Sequence, residues 1–189
     1  MKAYLRKAGV ISAGALLGVM AAPATTLERM TLEGLTTRAH VVAQVRCLSN
    51  ESRWERGEIW TFTRFEVEEA LKGIAPRLIT VRLLGGKVGH LTSTVDAVPR
   101  FRPGEESVLF LEQAPDGAFT VLSWAQGTFR IRRDEVTGRA VVTQESSSLA
   151  VFDPSTQRFR TEGVRNLPLA TFKQQIARLV MELEGKRQP

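Results

Sequence analysis

The chain has 189 residues, of which 43% are hydrophobic and 24% charged, and this composition is typical of one folded domain and excludes a disordered chain. A single cysteine, Cys47, excludes an internal disulfide framework and any multi-cysteine metal site. Two histidines, His40 and His90, leave few ligands for a zinc enzyme, so we expect no metal and no other cofactor.

The first 24 residues have the pattern of a secretory signal peptide. Lys2, Arg6 and Lys7 form a basic start, and an uncharged run rich in Ala, Gly, Leu and Val follows from Ala8 to Met20. Ala22-Pro23-Ala24 then supplies the small residues that signal peptidase reads. The apolar run is shorter than the ~20 residues of a membrane span, which favours cleavage over the alternative of an uncleaved anchor.

Cleavage would leave one exported domain, residues 25–189, in the periplasm or outside the cell. That domain has 23 basic and 20 acidic residues, so its net charge is +3, whereas the whole chain carries +6. Such a mild charge is weak support for nucleic-acid binding, and we expect no nucleic-acid partner and no stable membrane span after cleavage.

The mature chain is predicted to be mostly β. Thr31 is placed to cap a short helix that ends at Arg38. Alternating apolar residues then predict strands, the first of them half-buried, and turns with glycine or proline separate them. The predicted strands are 41–47, 59–71, 78–84, 105–113, 119–124, 127–133 and 141–142.

Two stretches lack a strand period. Residues 85–104 hold four glycines and two prolines, which predicts a long loop of the kind that is often functional. Residues 144–167 are polar, and we predict that they are irregular.

An apolar stripe that includes Phe172, Ile176 and Leu183 predicts a C-terminal amphipathic helix at 168–184. A lone helix of this length is marginal in water, so we expect it to dock on its own domain, near Trp60 and Phe62. The alternative is a helix that binds a partner.

Aromatic residues and a glycine pair supply the candidate binding surface. Trp60 and Phe62 share the face of their strand opposite Ile59, so both faces carry large apolar groups. Core packing would explain each residue alone, whereas an exposed set would indicate binding. The candidate surface consists of Trp54, Trp60, Phe62, Gly85, Gly86 and His90.

No catalytic constellation is recognisable in the sequence. An enzyme would have to use His90, Asp96 and Glu105, and no spacing orients these three residues for acid–base chemistry. Cys47 shares a strand face with Val45, which predicts a buried thiol; the alternative is an intermolecular disulfide.

Several short motifs together resemble those of a group of small secreted bacterial proteins of uncharacterised function, over residues 30–143. The resemblance supplies no catalytic residue. The motifs are Ala39-His40-Val41-Val42, Trp54-Glu55-Arg56-Gly57-Glu58-Ile59, Leu71-Lys72-Gly73, Gly85-Gly86, Pro99-Arg100-Phe101, Gly104-Glu105, Val108-Leu109-Phe110-Leu111 and Gln126-Gly127-Thr128-Phe129.

The order of elements is also similar, more distantly, to tissue inhibitors of metalloproteinases and netrin-type modules. That likeness implies an OB-like barrel with a late helix. In those inhibitors an N-terminal cysteine reaches the protease zinc and disulfides brace the fold. Here Thr25 is the expected mature start and Cys47 is alone, so the inhibitory mechanism does not carry over.

We therefore expect a single, partly open OB-like β-barrel with a short N-terminal helix and a C-terminal helix packed on it. The leading functional hypothesis is a non-catalytic binding module of the bacterial envelope with a protein partner, an extracellular protease being the partner that the distant likeness implies. The alternatives are a polymer- or ligand-binding barrel that uses the 85–104 loop, and an enzyme around His90.

Export can be tested directly. Signal peptidase should cleave after Ala24, because the small residues of the cleavage site end there. Mass spectrometry of the protein recovered from its native compartment should therefore give an N-terminus near Thr25. A soluble cytoplasmic protein that retains Met1 would contradict the assignment.

Overall fold

The structure is a computed structural model that describes residues 27–186. The helices are α1 (Leu32–Arg38) and α2 (Leu169–Gly185), with short 3-10 turns at Trp124–Gly127 and Glu145–Ser148. The strands are β1 (Val41–Glu55), β2 (Glu58–Lys72), β3 (Leu78–Leu84), β4 (Gly86–Val88), β5 (Leu91–Ser93), β6 (Glu106–Gln113), β7 (Phe119–Val121), β8 (Thr128–Arg133), β9 (Ala140–Gln144), β10 (Val151–Asp153), β11 (Arg158–Arg160) and β12 (Leu167–Pro168). The prediction of a mostly β chain with a short N-terminal and a C-terminal helix is confirmed.

Eight strands form one sheet that partly closes in a ring. Its order is β1-β2-β3-β7-β6-β8-β9-β12, and β1 also pairs with β6. Strands β1, β2, β3, β7 and β6 therefore follow one another around the ring. Neighbouring strands of the ring are antiparallel except β3 and β7, which are parallel and share one residue pair, Val81 with Phe119.

Strand β1 separates two hydrophobic cores. Val45 and Cys47 point into the ring, where they are buried with residues of β2, β3 and β6. Val42 points to the opposite side and is buried beneath the two helices. The expectation of a half-buried first strand was wrong over this part of β1, because both of its faces meet apolar layers.

The Lys72-Gly73 pair joins the ring to helix α1. The Lys72 ammonium donates to the carbonyl oxygens of Thr36 and Ala39, each at 2.6 Å, at the helix end where the dipole is negative. Gly73 has a φ of 73°, and a Cβ at this position would overlap the carbonyl oxygen of His40. A side chain here would push the end of β2 away from the start of β1.

Helix α2 packs on the outer face of the sheet, as a helix that docks on its own domain should. Phe172 and Ile176 are fully buried, and the Phe172 ring centroid lies 4.6 Å from that of Phe129 in β8. Lys173 adds an ion pair of 2.6 Å to Glu69 near the end of β2.

The place where α2 docks differs from the predicted one. The core beneath the helix contains Leu35, Phe110 and Phe129, and it includes neither Trp60 nor Phe62. The Phe172 ring packs among the buried apolar side chains of this core, whereas arginine side chains cover the two aromatic residues of β2. The apolar stripe of an amphipathic helix packs where neighbouring apolar side chains remove it from water.

Two other segments depart from the prediction. Strand β1 runs to Glu55, well past its expected end at Cys47, because β2 offers it a hydrogen-bonding partner along the whole length. The stretch expected to be irregular contains a hairpin of β10 and β11, in which the rings of Phe152 and Phe159 pack edge to face at 5.4 Å.

The first described residues are fastened to this hairpin. The Arg29 amide donates to the Phe152 carbonyl at 2.7 Å, and the Phe152 amide donates to the Leu27 carbonyl at 2.9 Å. The predicted signal peptide at 1–24 lies outside the described residues. Between residues 27 and 186, no helix has both the length and the apolar character needed to cross a membrane.

Truncating Phe172 tests the docking of α2. Phe172→Ala should lower the free energy of unfolding by about 3–5 kcal/mol, because it empties a fully buried site beside Phe129. Met181, on the same helix, is 65% exposed, so Met181→Ala is the matched control and should cost less than about 0.5 kcal/mol. Denaturant unfolding curves compare the two variants. Equal unfolding midpoints for both would mean that α2 does not stabilise the domain.

Candidate functional site

Two hairpins surround the candidate site. One is the far end of β1 and β2, which turns at Arg56-Gly57 as the sequence predicts. The other is a short arm, β4 and β5, which lies within the segment predicted to be a loop. The arm packs against β1 and β2 from inside the ring, so the space between the hairpins is the mouth of the ring.

A bulge at Leu48 determines which side chains face this mouth. Cys47 pairs with Phe65 and Ser49 pairs with Arg64, so Leu48 has no partner in β2. An extra residue reverses the alternation of a strand beyond it. Uninterrupted alternation from Cys47 would turn the next even-numbered residues outward, but the bulge turns them inward: Asn50, Ser52 and Trp54.

The first of these inward residues join a polar cluster. The Ser52 and Thr61 hydroxyls are 2.9 Å apart, and Thr61 donates to the Gly85 carbonyl at 2.6 Å. Thr63 donates to the Asn50 side-chain oxygen at 2.7 Å. The cluster therefore ties β1 to β2 and to the start of the arm.

Gly86 brings the arm into contact with this cluster. Its φ is 143°, and a Cβ there would overlap the hydroxyls of Ser52 and Thr61. Gly85-Gly86 therefore serves as a close-approach point between backbone and hydroxyl groups, which only glycine permits at this distance. Its role is to set the position of the arm.

Beyond the cluster, the hairpin tips enclose an open apolar cleft of about 280 Å³. Trp54 lines one side and Leu91 of β5 the other, and they are 56% and 47% exposed. Ile59, Leu84 and Val95 also line the cleft. Two large exposed apolar side chains thus face the same hollow.

Trp60 and Phe62 lie on the opposite face of β2, so the structure separates them from Trp54. The Arg53 guanidinium lies 3.8 Å from the Phe62 ring centroid, and that of Arg82 lies 4.9 Å from the Trp60 ring centroid. Both rings are half-buried under these cations. The predicted surface therefore divides into a site at the mouth and a covered patch outside the ring.

The cation over Trp60 is held from the far side by Asp116, in the turn between β6 and β7. Arg82 donates to the Asp116 carboxylate at 2.7 Å. The pKa of Asp116 is lowered, chiefly by the Ala118 amide that donates to it and then by the Arg82 guanidinium. The hydrogen bond from Arg82 to Asp116 therefore holds the guanidinium over the Trp60 side chain.

The three residues considered for catalysis do not form one hydrogen-bonded group. His90 is exposed in the turn of the arm, and Asp96 is exposed farther along the loop. Glu105 pairs with Arg130 at 2.9 Å. Among residues 27–186, no group of three or more His, Cys, Asp or Glu side chains has the arrangement of a metal site.

Arg130 anchors the end of the 85–104 segment. Besides Glu105, its guanidinium bonds Glu145 at 2.6 Å and the carbonyl oxygen of Arg100 at 2.6 Å, and it lies 4.4 Å from the Phe101 ring centroid. The Arg130 side chain is only 16% exposed, so water screens its ion pairs poorly. Removing Arg130 would leave the carboxylates of Glu105 and Glu145 without this partner.

The chain matches no protein-family model and no curated protein.

Sequence reasoning missed several residues of the mouth. Thr61 and Thr63 lie on the same face of β2 as the buried Phe65, and two threonines in alternation with a core residue were the available signal. Sequence reasoning could not place the others because it ended β1 too early and treated the arm as a loop. These residues are Asn50, Ser52, Leu91 and Arg100.

Cys47 lies at the inner edge of the site and is 1% exposed, so the prediction of a buried thiol is confirmed. Burial raises the pKa of the Cys47 thiol, and the negative charge of Glu105 raises it further. The thiol's contribution to stability is therefore fully present below the ordinary thiol pKa and is lost as the pH rises through the folded pKa.

The thiol gives a direct test of burial in the folded protein. Iodoacetamide should label Cys47 slowly in native protein and rapidly in denaturant, because the reactive thiolate is both scarce and inaccessible in the fold. Cys47→Ser should destabilise by about 1–3 kcal/mol by placing a hydroxyl in an apolar layer. Native labelling as fast as denatured labelling would contradict the burial.

Proposed function

We propose that this chain is an exported, non-catalytic binding module of the bacterial envelope and that its partner is a protein. The observation that carries the proposal is the cleft between the hairpin tips, where Trp54 and Leu91 are both exposed. Contiguous exposed apolar side chains at a concave surface are a feature of protein interfaces.

The chemistry of the cleft favours an apolar anchor from the partner. Tryptophan is among the residues that dominate binding energy when a partner buries them. The walls are mostly apolar and include Ile59 and Leu84, while Glu58, Thr92 and Ser93 add polar groups to the lining. A partner side chain that fills the cleft would remove both Trp54 and Leu91 from water, which is the main driving force for such a contact.

We also propose that the ring is an OB-like barrel. Such barrels have five strands in a partly open Greek-key arrangement. The ring here has five strands, and β6 returns beside β1 after the arm. The mouth that holds the cleft lies where β1 turns into β2, one of the loop regions that bind ligands in OB folds.

Export is part of the same proposal and rests on the pattern at residues 1–24. Cleavage after Ala24 would preserve the segment from Leu27 onward, which forms backbone hydrogen bonds with Phe152. The idea of an extracellular protease as partner is supported by the distant sequence likeness alone.

Photo-crosslinking tests the cleft as the contact surface. Two variants, one with a photoreactive amino acid at position 54 and one with it at position 91, should capture the same envelope protein, because both positions line the cleft. Phe159, which is 62% exposed on β11, is the matched control position and should capture nothing in common with them. Different proteins at 54 and 91, or the same protein at 159, would contradict the proposal.

The affinity of variants for the captured protein then measures how much Trp54 contributes to binding. Trp54→Ala should weaken binding by at least about 30-fold, the effect of losing a hot-spot residue. Because Trp54 is more than half exposed, the melting temperature of the Trp54→Ala variant should stay close to that of the unchanged chain. Unchanged affinity would show that binding does not use the cleft.

A further inference from the structure

A second hollow lies deeper in the ring, behind the apolar cleft. Its volume is about 270 Å³, near the lower end of small-molecule sites, and β1, β2 and the arm enclose it. Its lining includes the polar side chains of β1 and β2, namely Asn50, Ser52, Thr61 and Thr63, and an apolar part from Leu83, Leu84, Pro99 and Phe101. Lys87 of the arm and Arg100 of the following loop also line it.

The hydrogen bonds of these polar side chains leave only acceptors available. Thr61 donates its proton to the Gly85 carbonyl, and a hydroxyl has one proton, so Ser52 must be the donor in its contact with Thr61. Thr63 donates its proton to Asn50. Lone pairs of the Ser52 and Thr61 oxygens remain unused, whereas Thr63 is fully buried, so a ligand here has to bring donors such as hydroxyl groups to the first two.

The two ionisable side chains of the lining, Lys87 and Arg100, are both cations. No carboxylate lines the hollow, and within residues 27–186 neither Lys87 nor Arg100 forms an ion pair. Arg100 is held in place by donating to the Ser93 carbonyl at 3.1 Å, and its guanidinium has further donors. An anionic group is the complement of this pair.

We propose that this hollow binds an anionic monosaccharide. The sugar hydroxyls donate to Ser52 and Thr61, and the carboxylate or phosphate group of the sugar faces Arg100 and Lys87. The volume fits one sugar unit, and a lining that offers hydroxyl acceptors and two cations but no carboxylate suits a molecule that carries both hydroxyls and a negative charge. This site adjoins the apolar cleft, with which it shares Leu84, but its ligand does not depend on the proposed protein partner.

Calorimetric titration of the mature chain tests the site with four probes: glucuronate, glucose 6-phosphate, glucose and acetate. We expect saturable binding of at least one of the two charged sugars. Glucose, which lacks the charge, and acetate, which lacks the hydroxyls, should each bind at least about tenfold more weakly, since each loses one set of contacts. Acetate or glucose binding as tightly as the charged sugar, or no saturable binding of either charged sugar, would overturn the proposal.

Variants locate the binding. Arg100→Gln should weaken it by at least about tenfold, and Arg102→Gln, at an exposed arginine outside the hollow, should leave it unchanged. Lys87→Gln is the second test and should also weaken it, because it removes a lining charge without touching the Arg100–Ser93 bond. Binding that survives both Arg100→Gln and Lys87→Gln would rule out this hollow as the site.

Discussion

The bulge at Leu48 is the constraint on which the rest of the site depends. Before it, Val45 and Cys47 point into the ring and are buried in an apolar core. After it, the inward positions fall on Asn50, Ser52 and Trp54, which would otherwise face outward. One extra residue thus lets a single strand supply the core at one end and the lining of the mouth at the other.

The mouth of the ring is held rigidly at its base and left open at its tip. Gly86 rests on the hydroxyls of Ser52 and Thr61, and Arg130 fixes the far end of the segment through Glu105 and the carbonyl of Arg100. Between these anchors the arm exposes Leu91 and His90. Anchored loops with exposed tips are where binding residues are most often found, because the scaffold bears the cost of positioning them.

Several of the short sequence motifs have structural roles. Lys72 binds the carbonyl groups that end α1. Gln126 accepts a hydrogen bond from the Met30 amide at 2.7 Å and donates to the Glu28 carbonyl at 2.7 Å, which ties the start of the described chain to the sheet. Such residues stabilise the fold, because they satisfy hydrogen-bonding groups of its backbone.

The sequence by itself determined the strands and helices with a strong period, the burial of Cys47 and the stripe of α2, because each follows from alternation or helical spacing within one segment. Tertiary structure decided the rest. The Leu48 bulge exists only where β1 meets β2, the arm forms only against that pair, and Trp60 is separated from Trp54 by the register between strands. A strand's face is set by its partner's hydrogen bonds, and no local pattern reports where an extra residue interrupts them.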